Sequence, residues 1–187
     1  MTALIVIIVL AVLIGLFVVV LYNRLVGGRN QVENGWSQID VQLKRRHDLI
    51  PNLVEVTKDY MDYEQETLQQ VIAARQGAVD ASKTGDRAGQ IKAEGMLGAA
   101  LGRFVALAED YPDLKANENV ASLMEELSGT ENKIAFARQF YNDSVLAQNT
   151  RVESFPSNLV ANMFRFTRHP YFEVPEEEKK PIKVDLR

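Results

Sequence analysis

Residues 3–22, ALIVIIVLAVLIGLFVVVLY, carry no charged side chain, and this run constrains the fold more than any other feature of the chain. As a helix rising about 1.5 Å per residue it is about 30 Å long, the thickness of a bilayer's hydrocarbon layer. It lacks the polar face with which a core helix meets water. A cleaved signal peptide needs a basic n-region, a shorter apolar stretch and a small-residue cleavage site. None is present here; the run ends in Tyr22-Asn23-Arg24, with the tyrosine placed as an interfacial anchor. Residues 1–23 are therefore expected to form a retained transmembrane anchor that contacts membrane lipid through residues 3–22. Arg24, Arg29 and then Lys44-Arg45-Arg46 follow the run, and nothing basic but the α-amine precedes it. The positive-inside rule then puts the N-terminus outside and the C-terminal domain in the cytoplasm.

The remainder of the 187 residues suffices for one domain with its own core. With no cysteine, disulfides, thiolate nucleophiles, Cys-ligated zinc and iron–sulfur clusters are excluded. A net charge of −4 and the lack of a long basic block argue against nucleic acid as a partner.

Stepping alternately by four and three from Val32 meets Trp36, Ile39, Leu43, Arg46, Ile50, Leu53, Thr57 and Tyr60, a coiled-coil-like seam. The pattern predicts one long helix whose apolar face continues through Leu68, Val71 and Ile72 to about Val79, with a turn at Ser82–Gly89. A second helix is expected over Asp86–Asp110, with Ile91, Leu97, Leu101, Phe104, Val105 and Ala108 inside. DYPDLKAN, residues 110–117, reads as a stop. A third helix is expected over Asn117–Gln148, with Val120, Leu123, Met124, Leu127, Ile134, Tyr141 and Val145 inside. ESFPSNLVANMF gives a brief fourth helix with Ser154 as cap. No stretch alternates like a strand. The expected fold is all-α: an antiparallel helical bundle over residues 24–172 growing out of the membrane helix, with a charged, proline-containing tail over 173–187.

The stretch YNRLVGGRNQVENGWSQIDVQLKRRHDLIPNLVEVTKDYMDYEQETLQQVIAAR strongly resembles the N-terminal signature of the LemA family. YPDLKAN, TENKIAFARQFYNDSV and FPSNLVANMFRF…PYFEV are similar to later blocks of that family, in the same order. The resemblance covers residues 21–174. It implies a bacterial protein with a helical-bundle cytoplasmic domain on a single N-terminal membrane anchor, and it brings no catalytic residues.

The residues themselves offer little chemistry. A di-iron bundle needs Glu-x-x-His pairs, but Lys44 precedes His47 by three and Phe166 precedes His169 by three. The G-x-S-x-G, phosphate-loop and H-E-x-x-H motifs are all missing. No catalytic residue, metal ligand or cofactor is expected. Gly27-Gly28 reads as a flexible joint after the membrane helix. Pro51 removes the N–H that the His47 carbonyl would meet, so the helix should bend or break nearby. His47, a lone histidine beside basic neighbours, is expected in solvent.

Arg46 falls in the seam, where a cation needs a carboxylate. Glu131, Arg138 and Asn142, spaced by seven and four, share a face of the third helix. The expected arrangement is a polar layer in which Arg46 meets Glu131 and Arg138 meets an acid such as Asp40 or Asp48. Gly95, Gly98 and Gly102 form a small-residue strip, read first as tight packing within the bundle and second as packing between copies. The aromatic tail residues Phe164, Phe166, Tyr171 and Phe172 are expected to clip onto the bundle, with lipid contact as the alternative. Together these features suggest a membrane-anchored, non-enzymatic scaffold that forms a homo-oligomer or binds protein partners. The alternative is an accessory subunit of a membrane enzyme such as a peptidase.

Overall fold

In a computed structural model the chain is mostly helical over the described residues, which are 1–58, 60–61 and 64–172. No strand occurs among them. The elements are α1 (Thr2–Thr57), α2 (Gln65–Lys83), α3 (Arg87–Ala108), the single turn α4 (Pro112–Lys115), α5 (Glu118–Glu153) and α6 (Ser157–Met163). The tail expected over 173–187 lies outside the described residues.

The apolar run and the seam are parts of one uninterrupted helix, α1, of 56 residues. The expected joint at Gly27-Gly28 is helix, for a steric reason. A Cβ on Gly28 would stand 2.0 Å from Gln148 Oε1 and 2.3 Å from Arg151 Nη1, whereas one on Gly27 would meet nothing within 4 Å. Gly28 is thus a point of close approach. Gly35 is another, where a Cβ would come within 3.1 Å of the Tyr141 Cα. Pro51 does not break α1 either, since the helix runs on to Thr57.

Of the nine seam positions, Val32, Trp36, Ile39, Leu43, Arg46, Ile50, Leu53 and Thr57 are buried. Tyr60 is exposed and its neighbour Met61 is buried instead, because the chain has left the helix there. The long first helix expected to reach Val79 is therefore two, α1 and α2. The turn between them carries the bonds Tyr60 N–H to Thr57 O and Glu64 N–H to Met61 O, three residues apart as in tight turns. At the next turn Gly85 adopts φ +75°, and the Asp86 carboxylate accepts from Ala88 N–H to cap α3. Asn117 caps α5, its Oδ1 accepting from Asn119 and Val120 N–H. Ser154 is not a side-chain cap, since Pro156 holds that position before α6.

Contacts divide the described chain into two compact units. The first comprises Met1–Asp40 and Ala135–Tyr171. Within it α1 and α5 are antiparallel, Leu25 facing Gln148 and Trp36 facing Tyr141. Leu25, Val160 and Ala161 form a small core, against which Val18, Leu21, Val152 and Phe166 pack. The second unit comprises Val41–Ile134 with Phe172. Its core joins Ile50, Leu53 and Met61 to Leu68 and Val71 of α2, Leu97, Leu101 and Phe104 of α3, Leu114 of α4, and Val120 and Leu127 of α5. There too α1 and α5 are antiparallel, Arg46 meeting Glu131 and Tyr60 meeting Asn117.

Candidate functional site

Inside the second unit lies a buried ionic cluster. The seam of α1 delivers Arg46 and His47 to the interior, where they are 1% and 6% exposed. The inner face of α3 buries Gln90, Leu97, Leu101, Phe104 and Ala108, while the expected Ile91 and Val105 are only half-buried, and it delivers Glu94 at 1% exposure. Arg46 donates from Nη2 to Glu94 Oε2 and from Nη1 to Glu131 Oε1 of α5. His47 donates from Nε2 to the other Glu94 oxygen, at 2.8 Å. The two Glu94 oxygens are thus each met by a donor, and one guanidinium ties α1 to both α3 and α5. Outside this cluster, Arg45 pairs with Glu126 on the exposed surface.

The electrostatics follow burial. Burial opposes the charge on Arg46, but the Glu131 and Glu94 carboxylates more than offset it and leave its pKa raised. Burial likewise pushes the Glu94 carboxyl up. The hydrogen bond from His47 and the charge of Arg46 outweigh it and hold Glu94 below the ordinary carboxylate range. Glu131, whose side chain is 43% exposed, is the rim of the cluster, and water screens its share.

Arg75 completes the site from α2. Its Nε donates to the His47 carbonyl oxygen at 2.6 Å. That carbonyl is the one Pro51 leaves without its intrahelical partner, so a side chain supplies what the proline lacks.

The structure sorts the sequence candidates. Arg46 and Glu131 come together. Arg138 and Asn142 belong to the first compact unit, and the second carboxylate on Arg46, which the spacing did not suggest, is Glu94 of α3. His47 is buried, not solvated. At two positions of the glycine strip there is no close approach: a Cβ on Gly98 or Gly102 would meet nothing within 4 Å; Gly95 is half-buried. Beside them α2 and α3 leave a groove of about 480 Å³ whose lining includes Ala73, Ala93, Met96 and Ala99. Among the described residues no group of three or more His, Cys, Asp or Glu side chains is placed to hold a metal.

Sequence reasoning missed Glu94 and Arg75. Glu94 was visible in principle, three residues before Leu97 on the same inner face. Arg75 had no such signal, because its partner is a backbone oxygen far away in sequence.

In the first unit, α5 holds the segment that follows α6. Tyr141 donates its hydroxyl to Pro170 O at 2.9 Å, and the Asn149 amide brackets the His169 backbone with two 2.9 Å bonds. Phe164 and Phe166 meet Tyr22 with ring centroids 4.7 and 5.9 Å apart, and Arg29 lies over the Phe166 ring. Of the four expected clip residues, Phe164 and Phe166 thus pack against α1, Phe172 is buried and Tyr171 is exposed.

The fold and its interior describe an all-α protein with a long apolar N-terminal helix and a core tied by a buried ion cluster. The chain belongs to the LemA family: the model of that family matches residues 35–186. Among curated proteins it is 26% identical to magnetosome protein MamQ of Magnetospirillum gryphiswaldense, over 86% of this chain and 68% of that one. It is also 26% identical to Protein LemA of Metamycoplasma hominis, over 86% of this chain and 72% of that one.

Proposed function

We propose that this protein is a membrane-anchored, non-enzymatic scaffold, with its N-terminus outside, its helical domain in the cytoplasm, and its copies assembling with one another at the bilayer. The observation that carries the reading is α1. Its apolar stretch is long enough to cross a membrane and only 6% of it is buried, with side chains such as Leu4, Ile7, Leu13 and Phe17 more than half exposed. So large an apolar surface needs lipid, and the same helix continues without interruption into the core. Anchor and bundle share the helix α1. Tethering confines copies to two dimensions, which raises their effective concentration and lets weak lateral contacts suffice.

The ion cluster supports a structural role. Arg46 and His47 of α1 pair with Glu94 of α3, and Arg46 with Glu131 of α5, while Arg46 Nε is left without a partner among the described residues; the pairing geometry fixes the register of three helices. The groove between α2 and α3, with Met96 at 62% exposure, suits contact between copies.

Extraction in a mild detergent, followed by sizing and native mass spectrometry, tests this. A scaffold comes out as assemblies built of its own chain. A monomer, or stoichiometric recovery with a second membrane protein, contradicts self-assembly, and the second outcome points to the accessory-subunit role.

A further inference from the structure

We propose that α6 is a second membrane contact, resting its outer face in the headgroup region of the bilayer that residues 3–22 cross; this rests on the anchoring stated above. The helix has two apolar faces. Val160 and Ala161, 4% and 0% exposed, pack inward on Leu25, Val18 and Leu21. Leu159 and Met163, one turn apart, point the other way at 60% and 64% exposure, and Phe155 in the preceding turn is 79% exposed. A short surface helix with nothing to cover its outer face would present polar residues there.

The position of α6 says what covers it. Its inner face touches Val18 and Leu21, which belong to the apolar run. Val18 lies four residues before Tyr22, about 6 Å along the helix axis. A helix packed on these residues cannot stand clear of the membrane if they are in it. It lies at the boundary of headgroups and acyl chains, at the depth of about 5–10 Å where amphipathic helices rest. Tyr22, Phe164 and Phe166 gather at the same level, the ring types that favour this zone. Arg24 follows the span and Arg165 follows Phe164, both exposed, which suits anionic lipid headgroups. α6 thus acts as an outrigger: α1 fixes depth, and a second contact beside it restricts rotation of the helix about its own axis.

The chain has no cysteine, so single labels can be placed without background. Nitroxides at Leu159→Cys, Met163→Cys, Ile8→Cys and Phe136→Cys are compared in nanodiscs of phosphatidylcholine and phosphatidylglycerol, using oxygen and a water-soluble nickel chelate as collision partners. Phe136 is 72% exposed on α5, five residues before the Tyr141 that faces Trp36, about 7.5 Å further from the apolar run along the antiparallel helix. The inference predicts that labels at 159 and 163 collide more with oxygen than with nickel, at a depth between those of 8 and 136. Labels at 159 and 163 as open to nickel as that at 136, with 8 in lipid, overturn the α6 contact alone. Protection of 159 and 163 from both reagents means protein covers them, a second copy included, and overturns it as well. A label at 8 open to nickel overturns the anchoring reading and the contact together.

Discussion

Arg75 donates from Nε to the backbone oxygen of His47 at 2.6 Å, and this bond reconciles a proline with an unbroken helix. Pro51 has no N–H for that oxygen, and an orphaned carbonyl in a packed interior is costly. A charged donor from α2 replaces the missing bond and at the same time holds α2 against α1.

The two residues should therefore be coupled. Arg75→Met is expected to destabilise the protein by about 1–3 kcal/mol, since it leaves the oxygen unpaired. In a Pro51→Ala background the alanine N–H supplies the donor and the loss should shrink. A double-mutant cycle on thermal or chemical unfolding in detergent reads the difference; equal losses in both backgrounds would remove the role assigned to Arg75.

The ion cluster predicts an unequal pair of carboxylates. Glu94→Leu leaves the buried guanidinium only the half-exposed Glu131 carboxylate and takes the partner from His47, and should cost about 3–5 kcal/mol. Glu131→Gln changes a screened rim contact and should cost under about 1 kcal/mol. Arg46→Met combined with Glu94→Leu should recover much of the single-variant loss. Unfolding midpoints of the four proteins decide this, and equal losses for Glu94 and Glu131 would contradict the assignment of core and rim.

Glu94 should make the fold acid-sensitive, because it must be protonated against its partners as the chain unfolds. Its folded pKa is depressed below the ordinary value of 4.5 by His47 and Arg46, which together outweigh burial. A depressed carboxylate contributes stability that is present in full above its unfolded pKa and is lost as pH falls through the folded one. Stability of the native chain should decline below about pH 4.5, and Glu94→Gln should flatten that part of the profile. Melting temperatures of both proteins across the acid range check it; parallel profiles would exclude Glu94 as a source.

Adjacent glycines should respond oppositely. Gly27→Ala faces open space and gains helix propensity, up to about 1 kcal/mol of added stability. Gly28→Ala pushes Gln148 away from the Leu25 carbonyl, to which its Nε2 donates at 3.1 Å. Its expected cost is about 1–3 kcal/mol after that gain. Thermal melts of the two variants are sufficient, and a stabilised Gly28→Ala would mean that the close approach is not needed.

The helices were legible because their seams are. Val32 to Thr57 recur at alternating steps of four and three, and every one of those positions is buried. The break after Thr57 was not legible, since no glycine or proline marks residues 58–64 and the apolar spacing resumes on α2 within a turn. Arg46 with Glu131 could be reached from spacing along two helices. Glu94 needed the third helix to be consulted, and Arg75 depends on which backbone oxygen lies opposite it, a tertiary fact with no local pattern. Gly28 looked like a hinge for a similar reason: a sequence shows the missing side chain but not the Gln148 amide that occupies its place.

The central claim is that one continuous helix carries the protein from lipid into its own core, with the bulk of the chain on the cytoplasmic side. Single cysteines placed at 8, 16, 41 and 136 of the otherwise cysteine-free chain, treated with a membrane-impermeant maleimide on intact and then permeabilised cells, test it most directly. The account predicts that 8 and 16 resist the reagent throughout and that 41 and 136 react only after permeabilisation. Reaction at 136 on intact cells, or recovery of the chain trimmed of its apolar run and free of membrane, would contradict it.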